Sequence, residues 1–243
     1  MRFRGFGRVR RRPVLPGTSW RRWVVVAVGL GVLVAALVGA VGPVRQTVEF
    51  RGAIDCDRES AGCLDSEPGS VVDRRTYTTT STTTDANGST NTTTTTHYEI
   101  TWQAADGARQ SRDVSSSFYA KAPEGEPVTL RLWEAEVVGV EVMGGVQWFL
   151  PESGTALRYW LYLAHLGLGI LLWGLLFGWW DGLFMLGFRA FAWMFLCFLP
   201  VGMLTDALAY GLDGGIGLVV QLGFAAFFVG IAGFMLVGSL DRW

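Results

Sequence analysis

The sequence predicts a four-span α-helical membrane bundle with a small all-β domain inserted between the first and second spans, and three observations carry that prediction. An arginine-led apolar run opens the chain, three further apolar runs of membrane length close it, and the stretch between them is polar, acidic and threonine-rich. Half of the 243 residues are hydrophobic, with 11 Trp and 15 Phe beside only 2 His. That composition fits a polytopic membrane protein better than a soluble one.

The first run sets the topology. Residues 1–22 form a basic tail with eight arginines (Arg2, Arg4, Arg8, Arg10, Arg11, Arg12, Arg21, Arg22), and residues 23–42 are uncharged. About 20 apolar residues suffice for a ~30 Å hydrocarbon core at 1.5 Å rise per residue. Arginine-rich flanks stay in the cytosol, so the first span is expected to run outward and to export residues 43–157. The apolar run exceeds the 7–15 residues of a signal-peptide core, which favours an uncleaved anchor, although Val38-Gly39-Ala40 offers small residues to a peptidase. Within the span Ala27, Gly31, Ala35 and Gly39 recur every four residues and are expected to form a packing ridge for another helix.

The inserted stretch reads as β structure. Residues 43–157 hold nine basic and seventeen acidic residues, a net of −8 opposite a tail of +8. This asymmetry suits a positive-inside protein; a nucleic-acid binder would gather basic residues on a folded face, so no nucleic-acid partner is expected. Threonine tracts at 78–84 and 92–96 flank Asn87-Gly88, which predicts a hairpin, with a disordered, glycan-accepting linker as the alternative. Asp106-Gly107 marks a second turn, after Tyr98-Ile100-Trp102 and before 108–114. Residues 115–127 are expected as loop or a short helical turn, with Phe118 and Tyr119 as anchors. Strict alternation at 128–133 and 138–142 around Glu134-Ala135 predicts another hairpin, giving five or six short strands in an antiparallel sheet or barrel-like domain.

Apolar texture returns at 158–180, 183–204 and 216–240, the second, third and fourth spans. Asp181-Gly182 is the expected cytosolic turn, residues 205–215 the outer loop, and both termini are expected to be cytoplasmic.

Few residues suggest chemistry. His165, Arg189 and Gln221 are the strongly polar side chains set inside the spans, away from their first residues, and intramembrane polar groups are functional candidates by default. The plainer readings are a hydrogen-bonded neutral His165, an Arg189 that extends to water, and a Gln221 that bonds across helices. His97 lies among threonines with no metal-ligand spacing, and Cys197 stands alone within a span. Gly174 and Gly178 match the small-residue motif of membrane helix pairs. No phosphate loop, zinc-protease, nucleophile-elbow or dinucleotide motif occurs, so no catalytic residue, metal or cofactor is expected. Cys56 and Cys63 would meet an oxidising compartment if exported, and six intervening residues with Ala61-Gly62 let them approach, so a disulfide is expected; two thiolates alone supply half a zinc site.

The order of an arginine-led span, Cys56…Cys63-Leu64, Tyr98-Glu99-Ile100-Thr101-Trp102 with Asp106-Gly107, Gly125-Glu126-Pro127-Val128 and Leu132-Trp133-Glu134-Ala135-Glu136-Val137 resembles uncharacterised bacterial multi-span membrane proteins. The resemblance covers roughly 56–142 and implies an architecture, a small exported β-rich domain between transmembrane helices, with no catalytic residues. The Thr-rich insertion departs from it. The reading is an envelope protein with a structural or interaction role, in contact with membrane lipids and with a protein partner or further copies of itself. A small oligomeric transport or channel component is the alternative, and the mutual placement of His165, Arg189 and Gln221 discriminates the two.

Overall fold

A computed structural model of the chain describes residues 20–60, 62–84, 87–177, 183–211 and 216–240. The elements follow the order α1 (Trp20–Glu59), β1 (Asp65–Thr84), β2 (Thr90–Ala104), β3 (Arg109–Val114), α2 (Ser116–Lys121), β4 (Pro127–Trp133), β5 (Glu136–Val142), β6 (Gly145–Trp148), α3 (Glu152–Leu172), α4 (Leu183–Tyr210) and α5 (Ile216–Leu240). They divide into two compact units, Glu49–Pro151 and the remainder, and the division falls within α1 after Val48.

Among the described residues, four segments are long and apolar enough to cross a membrane: Arg22–Glu59, Glu152–Leu175, Leu186–Tyr210 and Leu218–Gly238. Glycines set how closely α1 and α3 approach. A Cβ on Gly29 would lie 2.5 Å from the Leu171 amide nitrogen, one on Gly167 would lie 2.7 Å from that of Leu33, and one on Gly39 would meet the Trp160 ring at 2.7 Å. The ridge is therefore phased differently from the expected one. Gly29, Ala36 and Ala40 are buried, whereas Ala27, Gly31 and Ala35 are exposed and only Gly39 of the expected set makes a close approach. The physical reason is the stagger of the buried stripe, which advances by sevens and fours rather than by strict fours and so tracks the contact line of two crossing helices.

α1 also outlasts its apolar run, because residues 43–59, which composition groups with the polar stretch, are helical. Pro43 lies inside the helix, and the Thr47 hydroxyl donates to its carbonyl at 2.7 Å. Farther along, Arg51 and Arg58 flank Asp55 at 3.6 Å each, one helical turn away, the spacing that supports an exposed helix. Likewise α4 continues through Tyr210 across Thr205, whose hydroxyl returns to the Val201 carbonyl at 2.8 Å. Gly178, Asp181 and Gly182 lie outside the described residues, as do 212–215 with Asp213.

The other unit is a six-stranded antiparallel open sheet in the order β3-β2-β1-β4-β5-β6. Turn chemistry fixes the register. Glu134 and Ala135 both take positive φ (51° and 65°) in the two-residue β4–β5 turn, and Met143-Gly144 (46° and 73°) repeats the device between β5 and β6. Gly107 (φ 89°) closes the β2–β3 connection, where the Ala104 amide bonds the Ala108 carbonyl at 2.9 Å. β3 reaches β4 through α2, whose first turn is capped by Ser115: its hydroxyl accepts the Phe118 amide at 3.3 Å.

One face of the sheet carries the core: Val71, Ile100, Trp102, Val114, Val128, Leu130, Val137, Val140 and Val142, covered by Phe118 and Ala122 from the α2 segment and by Phe149. Trp102 stacks on Phe149 with centroids 5.7 Å apart. The pairing slips by one residue where Arg131↔Gly139 gives way to Leu132↔Val137, so Val137 joins Val140 and Val142 in the core cluster. Val138 is buried outside that cluster. The end of α1 belongs to this unit, with Phe50 5.4 Å from the Trp133 ring and Asp57 3.7 Å from the Arg131 guanidinium, which also holds Glu141 at 2.8 Å.

Candidate functional site

Among the intramembrane polar residues, His165 of α3 is held by α4 through a reciprocal pair. Its Nε2 donates to the Trp193 carbonyl at 2.9 Å, and the Trp193 indole donates to the His165 carbonyl at 3.0 Å. The rings stack 4.4 Å apart and 10° from parallel. Space for the indole comes from Gly169, where a Cβ would lie 2.5 Å from the indole nitrogen. Both carbonyls would otherwise serve only their own helices, so the pair stitches α3 to α4. The signal for it was the small residue one turn after the histidine.

Arg189, one turn before Trp193 on α4, is buried, whereas Gln221 is exposed on α5. The structure thus pairs His165 with Trp193, buries Arg189 within the helical unit and leaves Gln221 outside; the three do not form one buried cluster. Two other arginines link helices, one joining α1 to the end of α3 and one joining α3 to α4. The Arg22 Nε donates to the Gly174 carbonyl at 2.9 Å and its Nη2 to that of Leu175, within the π turn Trp173–Phe177 that follows α3. A π turn leaves carbonyls off the α-helical ladder, and a guanidinium fork is suited to take two at once. Gly174 admits this approach, since a Cβ there would meet Val26 and Val25 at 3.0 and 3.1 Å. Arg158 of α3 and Asp206 of α4 form an ion pair at 2.9 Å.

In the sheet unit, Cys56 and Cys63 form a disulfide with Cα atoms 5.9 Å apart. It joins the last turn of α1 to the approach of β1, and Gly62 (φ 115°) turns the chain between them. The free cysteine among the described residues, Cys197, is buried in α4.

The densest polar cluster of this unit lies across β1, β2 and β3. Tyr77 and His97 are directly opposed in the ladder and stack at 4.7 Å. His97 shares a 2.9 Å hydrogen bond with the Thr79 hydroxyl and lies 3.6 Å from the Asp113 carboxylate, to which the Tyr77 hydroxyl donates at 3.0 Å. That carboxylate holds the Tyr77 phenol above its ordinary pKa, with desolvation adding to the effect. Asp113, His97 and Thr79 follow the order of a nucleophilic triad, but the Asp–His separation exceeds hydrogen-bond length and the group lies on an open strand surface. Its bonds brace three strands. No group of three metal-binding side chains occurs among the described residues.

Comparison with known proteins finds no matching family, no matching curated relative and no matching solved structure. The class therefore rests on the architecture alone. By helix length and composition this is a multi-pass membrane protein with an antiparallel sheet domain inserted between its first and second membrane helices.

Proposed function

We propose that the protein is an envelope component that anchors through its four helices and presents the acidic sheet domain outside the cytosol, in a structural or interaction role. Both termini lie in the cytoplasm on this reading, and no reaction is assigned to the chain. The observation that carries it is the Cys56–Cys63 disulfide in the inserted domain, since disulfides persist in oxidising compartments. The charge asymmetry between the arginine tail and residues 43–157 supports the same orientation.

The transport reading needs polar groups that converge along a path. Gln221 is exposed on α5 and His165 is engaged with a backbone carbonyl, so that reading loses the constellation that motivated it. Reporter fusions test the orientation. Fusions after Gly69 and Asp213 are expected to read as exported, and fusions at Gly182 and after Trp243 as cytosolic; a cytosolic signal at Gly69 overturns the proposal.

A further inference from the structure

The β1–β2 hairpin outgrows the sheet that holds it. β4 pairs with β1 only over Asp65–Ser70, and β3 pairs with β2 only from Tyr98 onward. Beyond those limits the two strands continue in register, from Thr78↔Thr96 to Thr84↔Thr90, as a two-stranded arm roughly 23 Å long at ~3.3 Å per residue. Residues 78–84 and 90–96 are exposed on both faces, so the arm has no apolar side to bury. An isolated two-stranded ribbon is marginal in water, and each of its edges offers a row of unpaired N–H and C=O groups.

Natural edges are guarded by charge, proline or a bulge. This arm has none of these. Between Thr76 and Thr96 the sequence holds no proline and one charge, Asp85, at the tip. The one irregularity of β1 against β2 lies at its foot, between Val71 and Asp73. Elsewhere in residues 43–157 the net charge is strongly negative, so two copies repel except along the arm.

We propose that the arm is a strand-addition element and that its occupant is the arm of a second copy, paired edge to edge about a two-fold axis. This deepens the interaction reading above by naming the partner. The edges suit each other because both carry mainly β-branched threonine, so an antiparallel pairing opposes Thr to Thr at most positions, a favourable cross-strand pair. A two-fold contact uses the same patch twice and closes after two copies. Seven residues of pairing make a small interface, and confinement of both copies to one bilayer supplies the effective concentration it requires. A partner of different composition would have to match a neutral edge of hydroxyl side chains with a single amide, Asn91, which nothing else in the molecule asks of it.

The test uses the full chain in lipid vesicles, with donor- and acceptor-tagged copies mixed and energy transfer recorded. Thr80 and Thr94 face each other in the ladder, so one of them borders whichever edge is used. The double variant Thr80→Lys/Thr94→Lys, and separately Thr80→Glu/Thr94→Glu, should each lower self-association by roughly fivefold or more. Mixing Lys copies with Glu copies should restore it. Hydrogen exchange of the unaltered chain gives a second reading: amides of 78–84 or 90–96 should slow as copies per vesicle rise. Association unmoved by the charges, failure of the mixed pair to recover, or exchange independent of copy number would each overturn the proposal. The vesicle assay reads pairing whichever compartment holds the domain, so its failure leaves the orientation to be judged by the fusions alone.

Discussion

The foot and the arm of the β1–β2 hairpin share one antiparallel ladder and differ in everything around it. At the foot, Ile100 and Trp102 alternate with polar neighbours, and Trp102 is buried in the core. In the arm every residue is polar and exposed on either face. The foot is held by what its side chains bury, the arm by its ladder and by the β-branched preference of threonine for extended backbone. Strand propensity and strand stability are thus separate properties, and this hairpin displays them a few residues apart.

The widest separation between the two regions should come from truncation. Trp102→Ala removes the largest fully buried side chain among the described residues and should cost about 4 kcal/mol in denaturant unfolding of the sheet unit. Thr80→Ala in the arm should stay within about 0.5 kcal/mol. Equal costs would show that the arm is packed against something and break the comparison. Next in size is the covalent link beside the foot. Replacing Cys56 and Cys63 by Ser opens an eight-residue loop and should destabilise the sheet unit by about 2.5 kcal/mol on the chain-entropy estimate, while leaving arm proteolysis unchanged.

A smaller effect is expected at the tip. Gly88 has φ 80°, so Gly88→Val should cost about 1–2 kcal/mol locally and speed cleavage between 84 and 90 without loosening the foot. Cleavage that is equally fast in the unaltered chain would make the arm a linker. The smallest effect belongs to the junction. Tyr77 titrates above its ordinary value of 10.0 because its hydroxyl donates to Asp113. The protonated phenol is the bonded form, so its contribution is complete below pH 10 and is lost as pH rises through the raised value. Ultraviolet titration of tyrosinate should show a late-titrating group that Asp113→Asn lowers toward the ordinary range.

The sequence carried the architecture because its signals are local. Apolar run length marks the four membrane helices, and alternation at 128–133 with the Glu134-Ala135 turn marks the β4–β5 hairpin, as Asp106-Gly107 marks that of β2 and β3. What escaped depends on partners distant in sequence. The phase of the α1 ridge is set by Leu171 and Trp160, so Gly29 could not be told from Gly31 by spacing alone. The slip at Arg131–Leu132 decides that Val137 enters the core cluster, and no single-strand pattern reports it. β6 is four residues long, too short for alternation to mark it. The threonine hairpin was legible: the ladder is paired as far as Thr84↔Thr90, and Gly88 takes positive φ (80°) in the connection, with residues 85 and 86 outside the described ones. Of the polar residues in the spans, His165 could be recognised as bonded, yet its partner, a backbone carbonyl at Trp193, leaves no mark in composition.

The central claim is that the domain ending in this arm faces away from the cytosol. It is tested most directly by Thr80→Cys in intact cells treated with a membrane-impermeant thiol reagent. Cys197 is buried in α4 and Cys56 is bonded to Cys63, so the new thiol is the accessible one among the described residues. The account predicts full labelling before lysis and no increase after it; labelling that appears only once the membrane is broken would place the arm in the cytosol and contradict the account.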